Sequence, residues 1–159
     1  MSREIAILRI TEKEYPEFAK LLEYRRTGRD DDDADTDAYA DRGLQEFFKR
    51  YSVLNSDGFF IFAARQGGRY VGYISAILIP KPDPRRGVLY VDELWTAPPY
   101  RRQDVASRLM EKVIAIAREL DLWRVRLYVG VDNPAARDFY KRAGFTEKDT
   151  CRFCEIDLK

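Results

Sequence analysis

Histidine is absent from this chain of 159 residues, cysteine and methionine occur twice each, and no apolar stretch approaches the length of a membrane span. Without histidine, neither a histidine general base nor a zinc site is available, because the lone pair Cys151 and Cys154 would lack further ligands. Two cysteines three apart on an extended segment point to opposite faces, so they read as ordinary packing. A calcium loop also fails, since Tyr39 and Ala40 stand where an oxygen ligand and a glycine are needed. No metal is therefore expected. The first residues lead directly into a strand pattern with no apolar signal segment, which predicts a cytoplasmic protein with no membrane partner. With 28 basic and 27 acidic residues the net charge is +1, so no global field recommends nucleic acid as a partner.

What is present is a chain long enough for a single domain over residues 1–159, hiding roughly 70% of the surface that its unfolded form would expose. Glu4–Arg9 alternates as a first strand, and Thr11 with Glu14 forms a capping box before a helix expected over Glu12–Tyr24. Asp30–Asp41 then carries seven aspartates in twelve positions. So much like charge predicts a mobile loop. Leu44, Phe47, Phe48 and Tyr51 restart helical spacing. Phe59–Arg65 and Tyr70–Ile79 flank Gly67–Gly68 as an antiparallel hairpin, and Val88–Thr96 follows a proline-rich loop. Val105, Leu109, Val113, Ile116, Ala117 and Leu120 form an apolar stripe over about four helical turns. Trp123–Val129 reads as a buried strand. Asn133 and Pro134 open a last helix that Gly144 stops, and Thr150–Leu158 reads as a closing strand. The fold class expected is α/β (α+β): a mixed, mostly antiparallel sheet of about seven strands with helices on both faces.

Between Val88 and Phe145 lies a particular order: a strand ending Asp92-Glu93-Leu94-Trp95-Thr96, the basic turn Tyr100-Arg101-Arg102-Gln103-Asp104-Val105-Ala106, a helix, a strand, then Asn133-Pro134-Ala135-Ala136-Arg137-Asp138-Phe139-Tyr140-Lys141-Arg142-Ala143-Gly144-Phe145. Free amides and the dipole at a helix start attract an anion, and two arginines add charges that pair with phosphate. This order resembles the GNAT superfamily of N-acetyltransferases, with some resemblance to its polyamine-type members. One departure stands at the turn. Asp104 occupies the first glycine position of the family's motif, while Ala106 fills the second small position. The carboxylate of Asp104 is expected to turn back and cap the helix, leaving the amides to the anion.

The resemblance implies a GNAT-like acyl-CoA N-acyltransferase fold, acetyl-CoA as co-substrate and a small amine as acceptor. Cofactor-binding residues would be Leu94, Trp95 and Thr96, whose backbone holds the pantetheine arm as an added strand beside a strand distortion. They would also include Arg101, Arg102, Gln103, Asp104, Val105, Ala106 and Ser107 around the pyrophosphate, and Asn133, Ala136, Phe139 and Arg142 on the last helix. Asn133 is equally accounted for as a helix cap. Tyr140 matches the position from which a phenol protonates the departing thiolate, although it also fits as core filling. The amine must lose a proton, and without histidine the candidates are carboxylates, water chains or tyrosines. Asp92 and Glu93 are the carboxylates at hand, and since strand neighbours point oppositely only one should face the groove. Asp92 is favoured, with Glu93 in reserve. The aspartate-rich loop would favour a cationic acceptor, or serves as a solubilising segment. A homodimer is common among similar proteins, yet no residue shows one. The competing readings are a non-catalytic acyl-CoA-binding module and a protein lysine or N-terminal acetyltransferase.

Overall fold

A computed structural model describes residues 4–158. Up to Tyr128 the chain forms one compact unit, and from Val129 onward a second, smaller one. The larger unit is built on a sheet of five strands in sequence order: β1 (Ala6–Arg9), β2 (Phe59–Gln66), β3 (Arg69–Pro80), β4 (Gly87–Thr96) and β5 (Arg124–Leu127). The first three neighbouring pairs are antiparallel and β4 runs parallel to β5, so the mixed, mostly antiparallel sheet is as expected. The strand count is not. Among the described residues, Thr150–Leu158 forms no strand and its side chains are exposed. Its alternation of polar and apolar residues has the right period, but a strand also needs a ladder to join. The expected buried strand at Trp123–Val129 shortens to β5, in which Val125 and Leu127 are half-buried while Arg124 and Arg126 are exposed.

Helix α1 (Tyr15–Thr27) begins three residues later than its capping signal suggests. Glu14 does reach back to the Thr11 amide at 3.2 Å, but that exchange closes a turn ahead of the helix. At its far end Gly28 adopts φ +72 and its amide bonds Tyr24 O at 2.8 Å. Helix α2 (Arg42–Arg50) is capped by Asp41, whose side chain accepts the Leu44 amide at 3.0 Å. The acidic loop between α1 and α2 is less free than its charge predicts. It contains a 3-10 turn at Asp37–Ala40, and Arg69 at the start of β3 pairs with Asp30 at 3.0 Å and with Asp32. No helix of the described residues is long and apolar enough to cross a membrane.

Alternate residues of β3 fix which helix covers which face. Tyr73 meets Phe18 of α1 edge-on at 5.3 Å, in a core shared by Ile10, Tyr15, Leu21, Leu54, Ala63 and Ala97. Gly72, one residue earlier, faces α3 (Val105–Glu119), whose Val105, Leu109, Met110, Val113 and Ala117 are buried. Each large apolar side chain so buried contributes about 1.5–3 kcal/mol. Leu120, the last residue of the expected stripe, lies beyond the helix and is exposed.

The approach of α3 to the sheet is close enough to require glycine. A Cβ on Gly72 would lie 2.8 Å from Val105 Cγ1 and 2.9 Å from Trp95 O. Gly72→Ala is expected to cost about 1–3 kcal/mol, because backbone stands on one side of the clash; an unchanged urea midpoint would refute this packing. A second expectation concerns alkali. Burial, with Tyr39 adding to it, pushes the Tyr15 phenol up to about 12, and burial raises Tyr73 as well, reinforced by the carboxylate of Glu93. Unfolded phenols ionise near pH 10, so the folded state holds more protons above that value. Stability is thus complete below about pH 10 and falls as pH rises toward 12. Urea midpoints at about pH 9 and about pH 11 measure the effect, and equal values would contradict it.

Candidate active site

The pairing of β3 with β4 slips by one residue. Ser75 stands opposite Glu93, but Ala76 stands opposite Val91, so Asp92 is an extra residue on β4. This bulge corrects the expectation that only one of Asp92 and Glu93 can face a given side, because an inserted residue breaks the alternation. Glu93 shares the face of its partner Ser75 and donor Tyr73, whereas Asp92 follows Tyr90, which pairs with Ile77 on that same face. Both carboxylates therefore lie on the α1 side of the sheet. The Tyr90 phenol accords with this, raised first by burial and then by the nearby charge of Asp92.

The two carboxylates have different neighbours. Glu93 Oε1 receives Arg25 Nη1 at 2.8 Å and Glu93 Oε2 receives the Tyr73 hydroxyl at 2.8 Å, while Arg25 also donates to Tyr73 Oη. Arg25 and Tyr73 are the residues that sequence reasoning missed. Tyr73 carries an inward-facing strand signal, but the Arg25–Glu93 pair spans 68 positions and leaves no local trace. Asp92 is exposed and makes no ion pair among the described residues.

Beyond the bulge β4 continues to Thr96, yet its pairing with β5 ends at Val91–Leu127. Residues 92–96, including Leu94 and Trp95, thus keep one backbone edge out of the β5 ladder. Arg101 Nε donates to the Thr96 carbonyl at 3.1 Å, and Thr96 Oγ1 is buried with no hydrogen-bond partner among the described residues. Trp95 packs edge-on against Tyr24 at 5.7 Å.

The chain then turns through Arg101–Asp104 into α3. Arg102 has φ 59 and Asp104 has φ 62, both in the left-handed region. This conformation is ordinary for glycine and tolerated by aspartate. The expected cap is not made: the Asp104 side chain accepts no helix amide. A left-handed residue aims its side chain differently from the extended backbone of a capping residue, which is the physical reason. The first helical amide bond is that of Arg108 onto Asp104 O at 3.0 Å, so the amides of Val105, Ala106 and Ser107 have no helical acceptor. Gln103 Nε2 bonds Pro99 O at 2.8 Å, and Arg102 makes no ion pair among the described residues. Uncapped amides, one unpaired arginine and the orphan Thr96 hydroxyl suit a phosphorylated cofactor whose arm lies along β4. The exposed Asp104 carboxylate is a group of opposing charge within the turn.

In the smaller unit, α4 (Pro134–Arg142) is capped by Asn133, whose side chain accepts the Ala136 amide at 3.1 Å. Gly144 at φ +94 and the Phe145 amide bond to Tyr140 O at 3.0 Å end it as anticipated. Tyr140 is half-buried, with ring neighbours Phe139 at 5.3 Å and Phe145 at 5.8 Å. Burial raises its phenol above the ordinary value, and its hydroxyl has no partner among the described residues. Arg142 is exposed, while Arg137 is tied to Glu147 at 2.8 Å.

An uncharacterized N-acetyltransferase of Methanocaldococcus jannaschii is 32% identical over 108 residues, which are 67% of this chain and 46% of that protein. The chain spans about half the length of the curated relatives it matches. Among solved structures, an aminoglycoside acetyltransferase from an uncultured soil metagenomic sample superposes with a TM-score of 0.76 at 18% identity, covering 98% of this chain and 97% of that one. A protein solved with the bisubstrate analog CoA-S-monomethyl-acetylneamine gives a TM-score of 0.72 at 14% identity, covering 98% and 99%. At such identities the likeness is one of fold. The model of the acetyltransferase (GNAT) family matches residues 14–145, a span that takes in the bulge, the uncapped helix start and α4, and the chain belongs to that family.

Proposed function

We propose that the protein is an acetyl-CoA-dependent N-acetyltransferase that acts on a small cationic amine by direct attack, with both substrates bound together. The observation that carries this reading is the start of α3, where the amides of Val105, Ala106 and Ser107 stand uncapped behind a turn in glycine-like geometry. Those amides and Arg102 would hold the pyrophosphate, with the helix dipole adding its attraction. The free edge of residues 92–96 would carry the pantetheine arm, and a bulge amide would face the acyl oxygen. When bound, acetyl-CoA supplies an activated acyl carbon and a thiolate leaving group.

Asp92, exposed and outside any ion pair, is the carboxylate proposed to hold the incoming ammonium and take up its proton. Glu93 keeps Tyr73 and Arg25 in place beside it. Tyr140 Oη holds a proton for the departing sulfur, and its raised pKa keeps it in the donor form at neutral pH. Asn133, Ala136, Phe139 and Arg142 are proposed as further contacts from α4. A cationic acceptor is supported by the two carboxylates on one face and by the aspartates of the 30–41 segment that Arg69 leaves unpaired. It also agrees with the aminoglycoside acetyltransferase among the structural neighbours. A lysine side chain or a protein N-terminus presents the same chemistry and is the alternative acceptor.

Asp104 favours one competing reading, a module that binds acyl-CoA without turnover. Release of free thiol from acetyl-CoA separates the two, measured with a polyamine, an aminoglycoside and a lysine peptide. Thiol release with none of them above background would leave binding alone. Tyr140→Phe is expected to lower turnover by roughly ten- to a thousandfold with little change in acetyl-CoA affinity; equal turnover in the two proteins removes the phenol from the mechanism. Asp104→Gly should tighten coenzyme A binding about fivefold, the ~1 kcal/mol that one charge at close range is worth in water. Calorimetry giving an unchanged or weaker affinity would mean that the carboxylate does not oppose phosphate.

A further inference from the structure

A cavity of about 520 Å³ opens between α1 and α2 beside the 3-10 turn. It shares no residue with the candidate active site. Tyr15 on its wall and Arg25 beside Glu93 are ten positions apart on α1, about 15 Å along the axis. The volume lies within the ~300–1,000 Å³ usual for small-molecule pockets. Aromatic and aliphatic walls dominate it: Tyr15 meets Phe48 edge-on at 5.1 Å, and Ala19, Tyr39 and Leu54 add to the lining. Walls of this kind hold water poorly.

Most polar groups around the cavity are already committed. The Tyr39 hydroxyl donates to Glu23 at 3.3 Å, Gln45 Nε2 to Tyr39 O at 2.8 Å, and Asn55 Nδ2 to Glu12 Oε1 at 3.2 Å. Two are not. Tyr15 is only 7% exposed, yet its hydroxyl makes no hydrogen bond among the described residues. Lys49, at the rim, makes no ion pair among them. A phenol held near 12 is an O–H donor at any physiological pH, and without a protein partner it is open to an acceptor in the cavity. A mainly apolar chamber lined also by a phenol donor, two further hydroxyls and one cation suits an apolar body with an electron-rich head, held away from the Glu12 carboxylate.

We propose that this cavity is a second ligand site, taking a small molecule with an aromatic or aliphatic body and a carboxylate or similar anionic head received by the Tyr15 hydroxyl and Lys49. The site does not depend on the transferase reading, since a chain inactive toward acetyl-CoA would still bind such a ligand.

Fluorescence titration of the full chain with anilinonaphthalene sulfonate, an aromatic anion of suitable size, tests it. Saturable one-to-one binding is expected. Ala19→Trp and Ala40→Phe, which fill the cavity from α1 and from the 3-10 turn, should each weaken it by about tenfold or more. Tyr15→Phe should weaken it by roughly three- to fivefold, and Lys49→Gln by a comparable factor through lost charge. Circular dichroism confirms that each variant is folded. Where Ala19→Trp does not fold, Ala40→Phe decides alone, since Ala40 is exposed in a turn. Failure of the probe to saturate, or an affinity untouched by the folded filling variant, overturns the proposal. Coenzyme A affinity, measured on the same variants, should stay unchanged, and its loss together with probe binding would also overturn the separateness of the site.

Discussion

One surplus residue in the ladder between β3 and β4 governs the arrangement of the candidate site. With Asp92 inserted, Glu93 and Asp92 come to the same face of the sheet, next to the point at which the β5 ladder ends at Val91. A regular strand would have sent one carboxylate into the α3 core, where an unpaired charge is prohibitive. The bulge thus concentrates negative charge on the α1 side and releases a stretch of backbone edge in a single step. Arg25 and Tyr73 then fix Glu93, so that of two adjacent acids one is structural and the other stays open to solvent.

Elements set by local chemistry were legible in the sequence. The stripe of α3, the glycine turn at Gly67–Gly68, the Asn133 cap and the Gly144 stop each depend on residues a few positions apart, and each is found where it was expected, Leu120 at the end of the stripe excepted. Features that depend on distant partners were not. The Thr150–Leu158 segment has a strand's period but no ladder, and the Arg25–Glu93 pair has no local mark. Asp104 misled for a subtler reason. Aspartate is common both at helix caps and in left-handed turns, and composition cannot distinguish a residue chosen for its oxygen from one tolerated for its backbone. The family motif, which has glycine at that position, carried the better clue. The same holds for the bulge: alternation is the rule that the sequence teaches, and the site is built where the rule lapses.

Near-neutrality of the whole chain conceals strong local order. Arg69 at the sheet's rim binds back Asp30 and Asp32, so the most acidic segment is anchored at its start while its remaining aspartates face solvent. On the other side of the sheet Arg101 and Arg102 lie in the turn that precedes the uncapped amides of α3. Such separation of sign within one unit is a local matter, since exposed groups more than about 10 Å apart feel one another little at physiological salt. Position, more than net charge, therefore carries the electrostatic information.

Arg102 and Asp104 adopt a backbone form that costs non-glycine residues about 1–3 kcal/mol apiece. The turn is consequently not stable on its own account and depends on the packing of the buried Val105 against Gly72. A segment under that tension is where amide protons would exchange earliest within an otherwise well-protected helix. The turn proposed to grip phosphate would then also be the helix's natural breathing point.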